Sequence, residues 1–290
     1  MCPDAYVPLC DGETPKNCPK KRIAKATAKT LKFLDQHIEH TCEISDNGGA
    51  PKVCAVKESL MLGAIEGGYD KETRIYSAKE LSERPVDGFL LDGFNLTIEE
   101  SINLSYDEYL KEVINDSVIP ILPEEKIRVY LGICTPNTIL KLVEAGVDMF
   151  DSSYARYATD QGKALVFKNT LRNTIKSSNS TLNESLITET NDNPAEEHYE
   201  LNHPCDNNSD LLDLNDCRFK NDFRPILSNC LCYTCRKHTR AYINHLLVTK
   251  ELLGPVLLTL HNLHHYATFF ETIRQCIRND MYQELKNQFM

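Results

Sequence analysis

Short apolar runs alternate with amphipathic stretches over the first 167 positions. Positions 60–65, 86–91, 127–131 and 147–150 are strand-length apolar runs, and 53–56 is a further strand piece set off by a polar bend. Between them, helical periodicity predicts helices over about 71–84, 106–115 and 136–145. Thr135-Pro136 gives the last of these a capped start, and Gly146 gives it a left-handed stop. Earlier, Lys20, Lys21, Arg22, Lys25, Lys29 and Lys32 are interleaved with Ile23, Ala24, Ala28, Leu31, Phe33 and Leu34. That pattern predicts a helix with a solvated basic face over an apolar stripe, with phosphate contact as the rival use of the charge.

Strand, helix, strand, helix with short links implies parallel strands and right-handed crossovers, hence an α/β architecture. Acidic or glycine-rich residues recur at the predicted strand ends: Glu66-Gly67-Gly68, Asp92-Gly93 and Asp151. In a TIM (β/α)8 barrel that end carries the site. An open doubly wound sheet is the rival, although no Gly-x-Gly-x-x-Gly follows a strand.

The pattern breaks after position 167. Asn, Ser, Thr, Asp and Glu dominate 168–220, which reads as a polar, disordered insertion. Helical periodicity returns over 240–253 and 256–278. There Leu257, Leu258, Leu260, Leu263, Tyr266, Phe269, Phe270 and Ile273 give a wide apolar surface, for core packing first and a dimer contact second. The expected organisation is a partial (β/α) barrel over 1–167, the insertion over 168–220, and over 221–290 a subdomain, with C-terminal helices, that carries the cysteine-rich segment read below as zinc-binding.

Composition narrows the reading in two ways. The 290 residues carry a net charge of −10, which argues against a broad grip on a polyanion by this chain alone. No apolar leader follows Met1, so the 12 cysteines are expected in a reducing, cytoplasmic setting rather than in a disulfide framework.

Three of those cysteines are packed as Cys230-x-Cys232-x-x-Cys235, with His261 downstream. Three soft sulfurs on a tight turn and one imidazole make a common tetrahedral zinc set. Four protein ligands leave no open position, so the expected Zn²⁺ is structural, one per chain. Free buried cysteines are the bland alternative. His264 and His265 are rival fourth ligands, since they share a helical face with His261. Arg236, Lys237 and Arg240 are near enough in sequence to offset the site's net negative charge.

These pieces together resemble the tRNA-guanine transglycosylase family. The metal segment with Thr259-Leu260-His261-Asn262 is close to that family's signature, and Gly146-Val147-Asp148-Met149-Phe150-Asp151 is similar to its nucleophile segment. Glu66-Gly67-Gly68 and Leu91-Asp92-Gly93-Phe94 sit where the family has glycine-rich substrate turns. The resemblance implies a TIM barrel with a zinc-bearing subdomain, and exchange of guanine for a 7-deazaguanine base at the wobble position of certain tRNAs. It also implies that the earliest barrel strands are missing, as in a chain shortened at its N-terminus, which would leave strand edges open.

The departures from the catalytic pattern carry further implications. Asp151 holds the nucleophile position, but the arginine spacing after it is lost through Ser152 to Gly162. Glu66 replaces the base-reading Gln, Asp92 replaces a Gly, and Phe94 a Leu. A carboxylate only accepts hydrogen bonds, whereas an amide also donates, so the purine pocket at Glu66, Gly67, Gly68, Asp92 and Gly93 is altered. The resemblance is therefore to non-catalytic eukaryotic members, with no catalytic residue expected. It implies a catalytic partner chain in a heterodimer, tRNA bound through the complex, weak queuine binding at most, and peripheral attachment to the mitochondrial outer face. An active enzyme using Asp151, and a zinc-dependent interaction module unrelated to tRNA, are the alternatives.

Overall fold

The computed structural model describes residues 3–12, 14–15, 17–46, 59–92, 111–167 and 210–289. Two compact units divide the chain, Met1–Ser153 and Tyr154–Met290. The expectations for 53–56, for 106–110, for Gly93 and Phe94, and for most of the polar insertion lie outside the described residues.

Unit one is built on five parallel strands: β1 (Ala5–Tyr6), β2 (Leu60–Ile65), β3 (Gly88–Leu91), β4 (Ile127–Tyr130) and β5 (Met149–Phe150). Their spatial order is their chain order, and each neighbouring pair is parallel. A doubly wound sheet reverses its order at a switch point. This one does not, and the strands form a curled parallel half-barrel. Leu62, Leu90 and Val129 from the three central strands pack on one face, with Val7 and Ile127 against them. Phe89 and Leu91 point to the other face and are buried as well. Burial on both faces is why these strands read as continuous apolar runs rather than as alternation.

Among the described residues three α-helices accompany the sheet: α1 (Lys20–Asp46), α2 (Lys71–Ser82) and α3 (Pro136–Ala145). In α1 the residues Ile23, Ala26, Thr27, Thr30, Leu31 and Leu34 are buried, a stripe at helical spacing. Lys20, Lys21, Lys25, Lys29 and Lys32 lie on the exposed face, and Lys20 and Lys29 pair with acids of the same unit. Helix α2 starts on Asp70, whose carboxylate accepts from the Thr73 N–H at 3.0 Å. Helix α3 runs as expected from a Thr135 cap to Gly146 at φ 101°. A π-helical stretch, Lys111–Val118, occupies part of the helix expected over 106–115 and buries Val113 and Ile114. Strand β1 lies in a turn-rich stretch, between Pro3 and Pro8, that carries no strand-length apolar run, yet Ala5 and Tyr6 pair with Leu60 and Met61.

Unit two joins a two-stranded antiparallel ladder to helices. After α4 (Ser153–Asp160), β6 (Lys163–Leu165) pairs with β7 (Leu211–Asp213). Residues 211–219, which composition groups with the polar stretch, are thus a strand and a 3-10 turn. Leu212, Leu214 and Phe219 anchor them in the core with Ile226, Ile243 and Leu258. Next come α5 (Tyr233–Lys237), α6 (Arg240–Val248), α7 (Leu253–Arg278) and α8 (Tyr282–Asn287). Leu257, Leu258, Tyr266, Phe269 and Ile273 of α7 are buried, whereas Leu260 and Leu263 stay exposed. Among the described residues no helix is long and apolar enough to cross a membrane.

One ion-pair network ties the entry to α6. Arg240 donates to the carbonyls of Pro225 and Ile226 at 2.9 and 2.8 Å, and to Asp222 Oδ2 at 3.1 Å. Hydrogen bonds from Arg224 first, and the Arg240 charge after them, hold the Asp222 carboxyl well below the usual carboxylate range. A depressed folded-state pKa contributes stability above the unfolded value of about 3.9, and that stability is lost as pH falls below it. Asp222→Asn is therefore expected to cost about 1–2 kcal/mol at neutral pH, with the deficit shrinking below pH ~4. Urea melts of both proteins across that range check the sign.

Candidate functional site

The loop before α5 and the middle of α7 build one cluster. Cys232 caps α5: its Sγ accepts from the Cys235 N–H at 3.3 Å, which folds the sulfurs of 232 and 235 to one side. Thr234, buried behind them, donates to the Leu257 carbonyl at 2.6 Å and pins the turn to α7. His261, fully buried, presents Nδ1 to all three sulfurs, at 3.7 Å from Cys230, 3.6 Å from Cys232 and 3.3 Å from Cys235. The four donor atoms lie within 4.8 Å of one another, a buried cluster that can bind a metal ion.

The His261 tautomer follows from its other nitrogen. Nε2 is 3.0 Å from the Leu165 carbonyl of β6, which can only accept, so Nε2 carries the proton and Nδ1 keeps its lone pair for a ligand. Asn262 holds that same strand. Its Oδ1 accepts from Leu165 N–H at 2.8 Å, and its Nδ2 donates to Lys163 O and Thr159 Oγ1 at 3.0 and 2.9 Å. Sequence reasoning missed this role of Asn262, whose only signal was its place beside His261.

Helix rotation separates the three rival histidines. His265 stacks on the His261 ring at 5.8 Å and lies tilted against Phe167 at 5.0 Å rather than joining the sulfurs, and His264 is not in the cluster either. Of the cations expected to offset its charge, Arg240 is committed to Asp222 and two carbonyls, while Arg236 and Lys237 are exposed. Without an ion the donors share protons among themselves. The hydrogen bond from Cys235 holds Cys230 low, and Cys235 is raised in return. Burial pulls His261 down, but its bonds with Cys230 and Cys232 outweigh that and push it up to about 9.

The second group of expected residues lies in unit one, at the C-terminal strand ends. Glu66 follows β2, is fully buried, and its N–H donates to Ser77 Oγ of α2 at 3.1 Å. Burial, then the nearby Asp92 charge, push Glu66 up to about 8. Asp92 follows β3, and the Cys10 thiol donates to its Oδ2 at 3.6 Å. Gly67 has a backbone reason to be glycine. At φ 137° its Cβ would sit 2.6 Å from Arg74 Cγ and 2.7 Å from Arg74 N. Arg74 itself is buried, donating through Nε to Gly68 O at 2.7 Å and through Nη1 to Ile65 O at 2.9 Å.

Asp151, after β5, is held by its own turn. Its Oδ1 accepts from the Ser153 N–H at 3.0 Å, and its Oδ2 accepts from Ser153 Oγ at 2.7 Å and from Gly132 N–H at 3.1 Å. Glu66, Asp92 and Asp151 therefore share the strand-end side of the sheet, and Glu66 and Asp92 share one cluster with Cys10. Cys10 is a partner that sequence reading did not single out.

Comparison with known proteins agrees with this arrangement. The family profile described as "Queuine tRNA-ribosyltransferase" matches residues 1–290. Proteins called queuine tRNA-ribosyltransferase accessory subunit 2 are similar throughout. That of Danio rerio is 37% identical over 288 residues, 98% of this chain and 65% of its own length. Those of Ixodes scapularis and Drosophila erecta are each 36% identical, covering 94% and 98% of this chain and 61% and 57% of their own lengths. The chain thus spans about three fifths of the length of the curated relatives it matches. With a sequential parallel half-barrel, a Cys₃His cluster and a profile match from end to end, this chain belongs to the queuine tRNA-ribosyltransferase (tRNA-guanine transglycosylase) family.

Proposed function

We propose that the chain acts as a non-catalytic, zinc-stabilised subunit beside a catalytic transglycosylase chain, supporting exchange of guanine for queuine at the wobble position of tRNA. The observation that carries this reading is Asp151. A nucleophilic carboxylate must turn an oxygen toward the ribose anomeric carbon. Here both oxygens accept hydrogen bonds from Ser153, and one also from Gly132, so the carboxylate serves the turn that launches α4. The buried acid at Glu66, where a base-reading amide is expected, supports the same reading. So does the accessory-subunit name of the relatives.

The ion we infer is zinc. Zn–S of ~2.3 Å and Zn–N of ~2.0 Å at a tetrahedral angle put sulfur and nitrogen ~3.5 Å apart. The observed separations of 3.3 to 3.7 Å straddle that value. Cys230, Cys232, Cys235 and His261 would hold the ion, and a closed ligand set would supply a cross-link between the α5 turn and α7 rather than Lewis acidity. Val256, Leu260 and Leu263, exposed at helical spacing along α7, are the surface proposed to meet the catalytic partner. The reading extends to a cytoplasmic setting with peripheral attachment at the mitochondrial outer face.

Base exchange with labelled guanine and tRNA tests the proposal, run for this chain, for the catalytic chain and for their mixture. The expected result is exchange in the mixture only, unchanged by Asp151→Asn. Exchange by this chain alone that disappears in Asp151→Asn would overturn it in favour of an active enzyme. No effect of this chain in any mixture would leave an interaction module unrelated to tRNA.

A further inference from the structure

Unit one contains a second group of metal-type donors. Cys10, Glu66 and Asp92 come from three separate segments: the turn after β1 and the ends of β2 and β3. Their donor atoms lie within 4.8 Å of one another. We propose that this Cys10–Glu66–Asp92 cluster is a cation site for a borderline-soft divalent ion such as zinc or cobalt, distinct from the Cys₃His centre.

The first support is geometric. A tetrahedral ion with M–S of ~2.3 Å and M–O of ~2.0 Å separates a sulfur and an oxygen ligand by ~3.5 Å. Cys10 Sγ and Asp92 Oδ2 are 3.6 Å apart. The second support is the state of Glu66. It has no exposed surface, and among the described residues no N–H or hydroxyl group donates to either carboxylate oxygen; its side-chain hydrogen-bond neighbour is Asp92, another acid. Its Oε1 lies only 3.0 Å from where a Cβ on Gly12 would stand. A buried carboxylate without a donor is costly, and native interiors leave few of them. An ion bound between the three donors would satisfy it.

Charge and ligand type agree. Thiolate and two carboxylates sum to three negative charges, and a divalent ion leaves one. Arg74, almost fully buried and near enough to act on Glu66 electrostatically, offsets the remainder. The sulfur disfavours magnesium and calcium, which prefer all-oxygen sets. Three protein ligands leave one coordination position open, unlike the closed set in unit two. Gly12 completes the cradle, because a Cβ there would stand 2.5 Å from Asp92 Oδ2. The site is independent of the base-exchange reading and would stand if that reading failed.

The test counts metal. The full chain is loaded with excess zinc, dialysed, and analysed by mass spectrometry of the elements, as wild type, Cys10→Ala, Glu66→Gln and Cys232→Ser. Wild type is expected to hold about two equivalents, and each variant about one. Cobalt is then added to chain carrying one tightly bound zinc. A sulfur-to-cobalt charge-transfer band is expected in wild type and not in Cys10→Ala. Glu66→Gln keeps the shape of the side chain, and circular dichroism matched to wild type establishes that it folds. One equivalent in wild type, or the same second equivalent and the same cobalt band after Cys10→Ala, would overturn the proposal. In that case Glu66 and Asp92 share a proton instead of an ion.

Discussion

Cys232→Ser is expected to strip the metal from the Cys₃His centre and to lower the melting temperature of unit two by roughly 15–25 °C. The size follows from what the ion joins. The metal donors and the hydrogen bond from Thr234 to Leu257 join the α5 turn to α7, with Cys235 also packed against the core that includes Leu258. Structural zinc contributes its binding free energy to folding, and in small zinc modules that is nearly all the folding energy there is. Unit two also has an apolar core of Leu212, Leu214, Ile226, Ile243 and Leu258, which keeps part of the unit folded without the ion. A loss of about 3–5 kcal/mol is therefore expected, at several degrees per kcal/mol for a domain of this size. Chelation of the wild type should give the same shift, and heating followed by circular dichroism with metal analysis measures both. An unchanged melt with metal gone would mean the apolar core alone sets the stability of the unit.

Arg74→Ala is expected to destabilise unit one by about 3–5 kcal/mol, the other large effect. The guanidinium is buried, and its Nε and Nη1 satisfy the Gly68 and Ile65 carbonyls at the end of β2. Truncation removes those donors, opens a cavity against the glycine turn, and takes away the cation that stabilises a charged Glu66. Arg74→Lys should lose most of the same stability, since an ammonium cannot reproduce the planar fork that reaches both carbonyls. Denaturant melts of the two variants check this. A lysine variant as stable as wild type would show that charge alone, not the forked geometry, is what β2 needs.

Local chemistry was the part of this molecule most legible in the sequence. Thr135-Pro136 and Gly146 bounded α3 because caps and left-handed stops are decided within a few residues. The Cys-x-Cys-x-x-Cys spacing was readable for the same reason. His261, the expected fourth ligand, is found in the cluster, although spacing alone could not set aside His264 and His265, which sit close to it on one helix. What selects His261 is its phase relative to the cysteine turn and the Leu165 carbonyl behind it, 96 residues away in sequence. Strand β1 was hidden because two residues between prolines carry no period, and its pairing with Leu60 and Met61 is non-local. Strand β7 was masked by polar neighbours, although Leu211, Leu212 and Leu214 were an available signal. The meeting of Cys10 with Glu66 and Asp92 depends on two crossovers, from β1 to β2 and from β2 to β3, and has no local signature at all.

The Nε2 bond from His261 to the carbonyl of Leu165 has a consequence for how the ion is held. Ligand affinity at Nδ1 and integrity of the β6–β7 ladder are two ends of one ring, so each must bias the other by the same free energy. Whatever strengthens or weakens the pairing of Leu165 with Leu211 is therefore expected to shift metal retention as well, without touching a single sulfur.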